Sequence, residues 1–228
     1  MISFCTGCCN RSEHIAATYE HNLDIGKDHE FILVNYGDKS GLDEYVKDKL
    51  MKYPNFTYYK TDAEYFHMSK SKNLSHRLAT GDFLFCLDAD TYISRNTIEE
   101  SNKCLEMNYY LGSHYSQEMI YGLSKDVFYK LGGYDETFEG WGHEDWDLSI
   151  RCRNYGIKYY KPSPNVVSDI KHPQELKFIE YAPEYQNDQL DIKREILKKH
   201  KEEKITRVNL DGFAKHKVIK NFEEEFVI

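Results

Sequence analysis

The stretch KNLSHRLATGDFLFCLDAD, residues 72–90, sets the pattern from which the fold can be predicted. A polar segment ends at Gly81, and an apolar run at 83–87 then leads directly into Asp88 and Asp90. A short apolar run bounded by turn residues is typical of a buried strand. Two carboxylates one residue apart repel each other unless water solvates them or a cation lies between them. The stretch therefore predicts a strand that ends in a solvated turn or in a site for a divalent cation such as Mg²⁺ or Mn²⁺.

Three strand–helix pairs precede this strand. Apolar runs predict strands at 1–8, 29–37 and 56–61, and these alternate with helices predicted at 12–23, 41–53 and 68–81, of which Ser12 caps the first and Gly81 closes the third. Such alternation requires crossover connections, so it predicts an α/β fold with a mostly parallel central sheet flanked by helices. Ligands of these sheets bind at the carboxyl ends of the strands, where Thr6-Gly7, Asn35–Asp38 and Asp88–Asp90 lie.

The second half of the chain has a different character. It predicts helices at 97–108 and 144–156, with a strand and a short helix between them at 118–136. The last part of the chain is strongly charged and is typical of a solvated surface helix. We therefore expect one domain, with residues 1–175 as its main part and residues 176–228 as a charged helical extension packed on it.

Composition narrows the class of protein. The chain has 228 residues, of which 40% are hydrophobic and 30% charged, as is usual for a folded globular domain. Its formal net charge of −8 argues against a broad basic face for nucleic acid. No apolar run approaches the roughly 20 residues of a membrane-spanning helix, and the first residues do not resemble a secretory signal. We therefore expect a cytoplasmic protein with no transmembrane segment.

The six cysteines raise the question of a zinc site. Cys5, Cys8 and Cys9 form a cluster, but no second ligand pair with zinc-like spacing follows it. Cys5 and Cys86 lie inside apolar runs, where a free cysteine behaves as a small hydrophobic residue. The pattern favours reduced, structural thiols over zinc ligands.

The segment at 72–90 also resembles a motif of the GT-A class of nucleotide-sugar glycosyltransferases, in which an Arg-Asn pair and an Ala-x-Gly-Asp/Glu element precede the sequence LDAD. The stretch FCTGCCNR resembles the first strand and loop of that class, which hold the nucleotide, and VNYGDKSGLDEY resembles the end of its second strand. The resemblance implies a Rossmann-like GT-A fold. It also implies a set of residues that contact the donor: Thr6, Gly7, Arg11, Asn35, Asp38, Lys72, Asn73 and Asp88.

Two positions depart from the pattern of that class. Lys72 stands where the class commonly has arginine, which keeps the positive charge but loses the bidentate geometry of a guanidinium group. Asn35 stands where an acid often meets the nucleotide base, and Asp38 could take over that contact.

A second motif, GGYDETFEGWGHEDWDL at 132–148, resembles the carboxy-terminal signature of the galactosyltransferase-type and chondroitin-polymerase-type branches. The resemblance implies that Asp145 is the general base and that Glu144 orients the acceptor. An inverting transfer needs such a carboxylate, because the acceptor hydroxyl must lose its proton as it attacks the anomeric carbon. Trp141 would stack on a sugar ring, and Gly122 would allow the chain to approach the donor closely.

A third metal ligand is expected later in the chain. His172 follows Asp145 by 27 residues, a separation similar to that of a metal-binding histidine in the galactosyltransferase-like branch. The resemblance therefore implies a metal site of Asp88, Asp90 and His172 that holds Mn²⁺ or Mg²⁺. His143, His114 and His67 are alternative ligands.

The resulting prediction is a metal-dependent, inverting hexosyltransferase-type enzyme. It moves a sugar from a nucleoside diphosphate sugar, UDP-linked, to a hydroxyl of a glycan or another acceptor. Three alternatives stay open: a sugar-phosphate nucleotidyltransferase, a non-catalytic carbohydrate-binding or nucleotide-sugar-binding protein, and transfer to a nucleic acid. The first lacks its Gly-rich phosphate loop in CTGCCNR, and the acidic charge disfavours the third.

Overall fold

A nine-stranded mixed sheet forms the centre of the protein, which is described by a computed structural model over residues 1–116, 118–171, 180–185 and 190–228. The strand order is β11-β10-β3-β2-β1-β4-β7-β6-β8, and β5 and β9 form a separate two-stranded sheet. The strands are β1 Ile2–Cys8, β2 Glu30–Asn35, β3 Phe56–Lys60, β4 Phe83–Cys86, β5 Thr91–Ile93, β6 Tyr109–Gly112, β7 Ile120–Ser124, β8 Lys158–Tyr160, β9 Val167–Asp169, β10 Lys217–Lys220 and β11 Glu224–Val227.

Seven α-helices cover this sheet within the described part of the chain. They are α1 Ser12–Ile25, α2 Leu42–Tyr45, α3 Met68–Leu78, α4 Arg95–Met107, α5 Lys125–Leu131, α6 Glu144–Asn154 and α7 Leu190–Glu202. The short helix α2 continues as a π-helical turn at Val46–Leu50, and a 3₁₀ turn lies at Pro183–Tyr185.

The predicted α/β class is confirmed, and parallel pairing joins the four amino-terminal strands and, separately, β6 and β8. Strands β3, β2, β1 and β4 pair in parallel, so their carboxyl ends meet at one edge. Strands β7, β10 and β11 run antiparallel to their neighbours, which makes the complete sheet mixed. The parallel strands therefore position the polar residues that follow β1, β2 and β4 beside one another.

The core lies on both faces of the parallel strands. On β1, Phe4 belongs to one apolar cluster and Cys5 to the other, and both side chains are almost fully buried. Likewise, Leu84 and Phe85 of β4 point to opposite faces. Strands buried on both faces are expected to be apolar at nearly every position, which explains the continuous run at 83–87.

Two predicted helix ends are wrong. Ser12 is the first residue of α1 and Arg11 is its N-cap residue, so Ser12 does not cap the helix; its hydroxyl bonds to the carbonyl of Ser40. Helix α3 ends at Leu78, and Gly81 lies beyond it. A Cβ atom at Gly81 would lie 2.5 Å from the Ser3 hydroxyl oxygen, so close packing against β1 accounts for this glycine.

The last part of the chain contributes to the sheet as well as to the helical layers. Strand β10 pairs with β3 and with β11, and α7 contacts α6. The hairpin of β10 and β11 was not predicted. The predicted boundary between 175 and 176 lies outside the described residues, so that division stays a prediction. Among the described helices, none combines the length and the apolar character needed to cross a membrane.

Candidate active site

Three acidic residues lie near the carboxyl end of β4, although their carboxylate oxygens are not all within 4.8 Å of one another. Asp88 and Asp90 follow the strand, as predicted, and strand β9 pairs with β5 so that Asp169 lies opposite Thr91. The Thr91 hydroxyl donates a hydrogen bond to Asp169 Oδ1 over 2.7 Å. Sequence reasoning missed Asp169, because its place beside the Asp88 loop depends on the pairing of two three-residue strands.

The environment of Asp88 disfavours an isolated negative charge. Its side chain is exposed to water on one side. The protein around it still desolvates the carboxylate, and the charges of Asp90 and Asp169 add to this effect, so that the pKa of Asp88 rises to about 6. Lys72 acts in the opposite direction. A divalent cation between these carboxylates would relieve the repulsion, so the chemistry of the residues suits such an ion, although the three side chains would have to draw closer to share it.

A buried lysine joins the two acids of the second motif. Lys72 Nζ donates hydrogen bonds to Glu144 Oε1 over 2.8 Å and to Asp145 Oδ2 over 2.9 Å. The exposed fraction of the side chain is 7% for Lys72, 4% for Glu144 and 28% for Asp145. The ammonium group also lies 5.2 Å from the centre of the Tyr134 ring. Lys72, which was predicted to contact the donor, therefore contacts the predicted catalytic acids.

Burial and nearby charges shift the pKa values of these two acids in opposite directions. Burial raises the pKa of Asp145 to about 7, with contributions from the negative charges of Glu144 and Asp88, although Lys72 opposes the rise. Burial would also raise the pKa of Glu144, but the charge and hydrogen bond of Lys72 outweigh it and hold that pKa below its usual value. Near neutral pH, Glu144 is therefore the permanent carboxylate, and Asp145 is the group that can exchange a proton.

One oxygen of Asp145 is available for such an exchange. Oδ2 accepts from Lys72, whereas the buried atom Oδ1 has no hydrogen-bond partner among the described residues. A buried carboxylate oxygen without a partner is costly to keep in a folded protein. A hydroxyl group placed against Oδ1 would satisfy it, so the geometry suits a base that awaits its substrate.

Tight turns place this acid pair at the start of α6. His143, immediately before the helix, has a φ of 78°, and Gly142 has a φ of 86°. The left-handed conformation is costly for residues other than glycine, so surrounding contacts must hold His143 in it. Its ring stacks on Trp146 with 5.8 Å between ring centres. Trp141 in the same loop is 36% exposed, as a sugar-stacking residue must be.

Asn73 connects the two motifs from inside the protein. Its amide nitrogen donates to the Tyr134 carbonyl and to Glu136, and its amide oxygen accepts from the Tyr134 backbone. The side chain is fully buried, and a Cβ atom at Gly133 would collide with it. The structure therefore gives Asn73 a structural role, and its predicted contact with the donor stays a prediction.

Two other residues that are predicted to contact the sugar donor also have buried side chains. The Thr6 hydroxyl donates to the Leu87 carbonyl over 2.7 Å and ties β1 to the end of β4. The Asn35 amide donates to Asp43 and accepts from the backbone of Asp38. Both side chains support the strand ends from within, and their predicted contacts with the donor stay predictions.

The remaining residues that are predicted to contact the sugar donor differ in their exposure and in their neighbours. Asp38 is partly exposed beside Asn35, which fits the suggestion that it replaces the missing acid. Arg11 lies 3.7 Å from Glu180 in a salt bridge. A Cβ atom at Gly7 would lie 2.7 Å from the Ser71 hydroxyl oxygen, and one at Gly122 would lie 2.5 Å from the Phe83 ring. Both glycines are thus required by packing inside the protein.

A short segment of the carboxy-terminal extension bridges the two sides of the site. Glu180 pairs with Arg11 and with Asn10 in the loop after β1, and its carbonyl accepts from the Phe66 backbone. A Cβ atom at Gly140 would lie 3.0 Å from the Tyr185 carbonyl oxygen. Sequence reasoning did not assign residues 180–185 to the site, and no motif there marks them.

Helix α7 packs against the loop before α6 and bonds to it through a buried lysine. Lys193 is 3% exposed, and its Nζ donates to the Trp141 carbonyl over 2.6 Å. His200 Nδ1 lies 2.6 Å from Asp147 Oδ1. The extension is therefore part of the structure that positions the acid pair, rather than only a solvated surface helix.

A second cluster that could hold a metal ion includes Asp147 of α6. Asp135, Asp147 and His200 bring ligand atoms within 4.8 Å of one another. Arg151 is fully buried beside them, with Nε 2.7 Å from Asp147 Oδ2, and it also donates to the carbonyls of Leu131 and Gly133. Because the guanidinium already neutralises Asp147, we interpret the cluster as a structural ion-pair network.

His172, the predicted third metal ligand, lies outside the described residues. The chain leading to it is placed beside the metal candidates, since the Ile170 backbone donates to the Asp90 carbonyl over 2.9 Å. Two of the alternative histidines are already engaged. His67 lies 3.3 Å from Glu139, and His114 lies 2.8 Å from the Pro162 carbonyl.

The six cysteines are all unpaired, and five of them are buried. Burial raises the pKa of Cys5, Cys8 and Cys9 above its ordinary value, so these thiols stay protonated. Zinc binds thiolates, so the structure agrees with reduced thiols that fill the core.

Known proteins resemble this chain in short regions of sequence. Residues 103–176 match the model of the N-terminal domain of galactosyltransferase. The chain is 36% identical over 47 residues to beta-1,4-galactosyltransferase 4 of Cricetulus griseus and to that of Rattus norvegicus. The match covers 21% of this chain and spans 14% of each of these relatives.

Solved structures resemble the chain over a larger part of its length. The complex of S. aureus TarS 1-349 with UDP-GlcNAc superposes with a TM-score of 0.64 at 13% identity, over 79% of this chain and 61% of that one. The mannosyltransferase PcManGT from Pyrobaculum calidifontis, in complex with GDP-Man and Mn²⁺, gives a TM-score of 0.62 at 12% identity, over 88% of this chain and 68% of that one. These likenesses confirm the predicted GT-A fold.

The longer of the two family matches covers the strands that carry the Asp88 loop. The model of glycosyl transferase family 2 matches residues 3–122, which is more than half of the chain. This range contains β1 to β4 and both carboxylates that follow β4. The chain therefore belongs to glycosyl transferase family 2.

Proposed function

We propose that the chain transfers a sugar from a nucleoside diphosphate sugar, UDP-linked, to a hydroxyl group of a glycan, with a divalent metal and with inversion at the anomeric carbon. The observation that carries this proposal is the state of Asp145. It is bonded to Lys72 through Oδ2, its Oδ1 has no partner among the described residues, and its pKa is raised to about 7. These are the properties of a general base near neutral pH.

The donor side of the proposal rests on the carboxylates after β4. Asp88, Asp90 and Asp169 would hold Mn²⁺ or Mg²⁺ together with His172. When bound, the ion neutralises the charge of the departing diphosphate. The UDP-GlcNAc complex of TarS and the complex of PcManGT with GDP-Man and Mn²⁺ support this assignment, since both proteins share the fold.

The acceptor side of the proposal rests on the acid pair. The acceptor hydroxyl donates its proton to Asp145 Oδ1 while its oxygen attacks the anomeric carbon from the face opposite the diphosphate. Lys72 stays protonated, because the nearby carboxylates raise its pKa well above the usual value despite its burial. It fixes the orientation of Asp145, and ionised Glu144 balances its charge. Trp141, which is partly exposed in the adjoining loop, would offer its ring to the sugar.

A thermal-shift screen of nucleotide sugars, each with Mn²⁺ or with a chelator, tests the donor assignment. We expect one UDP-sugar to raise the melting temperature only in the presence of the metal, since a ligand that binds the folded state stabilises it. The responding donor is then incubated with candidate glycans, and the anomeric configuration of the product is read by NMR. A uniformly flat screen contradicts the proposal, and a product that retains the donor configuration contradicts inversion.

A further inference from the structure

A groove lies between α6 and α7 and is lined by residues of both helices. Its volume is about 1010 Å³. The side chains of Trp146, Ile150 and Leu197 line its floor. Trp146 follows Asp145 directly in the first turn of α6.

Helix α7 uses two adjoining faces for different contacts. Residues 194, 197, 198 and 201 of α7 line the groove, at the three- and four-residue spacing of one helix face. Lys193 and His200 on another face are buried against the loop before α6 and against Asp147. The residues that line the groove are therefore not needed to attach the helix, apart from the apolar contact of Leu197.

The rim of the groove is positively charged, although the chain as a whole carries −8. Seven charged residues line it, of which five are cations and two are anions: Arg153, Arg194, Lys198, Lys201, Lys204, Glu118 and Glu202. Within the part of the chain that the structure describes, the three lysines form no salt bridge. Arg194 has one exposed partner, Asp191, at 3.7 Å.

Helix stability alone does not explain this charge. Cations in the last turn of a helix interact favourably with its dipole, which accounts for Lys201 at the end of α7. Arg194 lies in the second turn of α7, beyond the turn over which the dipole acts, so the dipole does not account for it. The five cations of the groove outnumber its two anions, so they repel one another unless a further anion lies among them.

We propose that this groove binds an acidic polysaccharide, a sugar chain whose residues carry carboxylate or sulfate groups, and that this chain is the acceptor. The part concerning the acceptor rests on the proposed function, whereas the binding itself does not. Sugar rings would pack on Trp146, and the acidic groups would pair with Arg194, Lys198 and Lys201, which follow one another along one helix face at intervals of about 5–6 Å.

Binding is tested by calorimetry on the full chain with two acidic probes and their neutral counterparts. The pairs are oligogalacturonate with its methyl ester and dextran sulfate with dextran. We expect at least one acidic probe to bind about tenfold or more tightly than its neutral counterpart, with an affinity that falls as salt rises. Failure of both acidic probes to bind, or equal affinity for the neutral ones, would overturn the proposal.

Charge reversal in the groove locates the site. Lys198→Glu/Lys201→Glu should weaken binding of the acidic probe about tenfold or more. The matched control Lys199→Glu/Lys103→Glu changes the net charge equally at exposed positions outside the groove, and it should weaken binding less than about twofold. Equal losses in both variants would show a general charge effect and overturn the groove assignment. Unchanged melting temperatures exclude unfolding, and Arg194→Glu provides a second test.

The result is separable from that of the donor screen, because the probes are titrated without nucleotide or metal. A flat donor screen with a charge-dependent groove refutes the proposed function and leaves the binding site standing. A positive donor screen without groove binding supports the proposed function and refutes the binding site. If both hold, transfer to the acidic oligosaccharide should show a lower KM than transfer to its neutral counterpart, and equal KM values would contradict the acceptor role.

Discussion

The proposed metal side and the proposed base side of the site are built in different ways. Asp88 and Asp90 come from one short stretch at the end of one strand, and Asp88 is exposed to water. Lys72, Glu144 and Asp145 come from two helices more than seventy residues apart in the chain, and the hydrogen bonds between them lie inside the protein. The difference indicates that binding of the nucleotide and transfer of the sugar can be broken separately, since no residue is common to both sets.

Removal of the base should have the largest effect on transfer. Asp145→Asn cannot accept the acceptor proton, so kcat should fall by about 10²–10⁴-fold, while affinity for the donor stays within about twofold of the original. Steady-state kinetics and donor titration measure the two quantities. Asp126→Asn, at an exposed position on α5, is the control. Near-normal turnover in Asp145→Asn would remove this residue as the base.

Loss of the buried lysine should act on stability as well as on transfer. Lys72→Met leaves Glu144 and Asp145 close together without their cation, so the free energy of unfolding should fall by about 3–5 kcal/mol. Urea unfolding measures this loss. Lys70→Met on the same helix should change the unfolding free energy by less than about 1 kcal/mol. If the two substitutions cost the same, the buried ion pairs do not organise the base side.

The pH dependence of transfer should follow Asp145. Its pKa is raised to about 7 and the base acts as the carboxylate, so kcat/KM should rise with pH through this value and level off above it. Below pH 7, the rate should fall about tenfold for each further pH unit, as the carboxylate becomes protonated. A rate profile that is flat between pH 5.5 and about 8 would contradict the assignment.

Removal of the hydrogen bond that α7 donates to the loop before α6 should have the smallest effect on transfer. Lys193→Met deletes the hydrogen bond to the Trp141 carbonyl, so the loop before α6 should hold the acceptor less well. We expect KM for the acceptor to rise about three- to tenfold, with donor affinity unchanged. Lys199→Met, at an exposed position on the same helix, should change neither value. A loss of donor affinity in Lys193→Met would show that α7 supports the metal side too.

The sequence predicts the positions of Asp88 and Asp90 better than the contact of Lys72 with Asp145, for physical reasons. Asp88 and Asp90 follow a buried strand whose apolar run is visible in the sequence, and strand ends converge wherever the strands are parallel. The Lys72 contact with Asp145 depends on how α3 packs against α6, which no local pattern records. The roles of Lys193 and Asp169 likewise depend on pairing between distant segments.

Burial also decides which polar residues can act. Thr6, Asn35 and Asn73 belong to motifs that are expected to contact the donor. Their side chains, however, lie inside the protein and bond to neighbouring strands and loops. A motif gives the type of a residue and its place along the chain. It does not show whether the side chain points to a ligand or into the core, because that depends on the packing of the elements around it.

The most direct test of separate metal and base sides is a calorimetric titration of UDP in the presence of Mn²⁺. The original chain, Asp90→Ala and Asp145→Asn are compared, each with and without a chelator. We predict that Asp145→Asn binds UDP with unchanged, metal-dependent affinity and that Asp90→Ala loses the metal-dependent part. Unchanged affinity in Asp90→Ala, or an equal loss in both variants, would contradict the account.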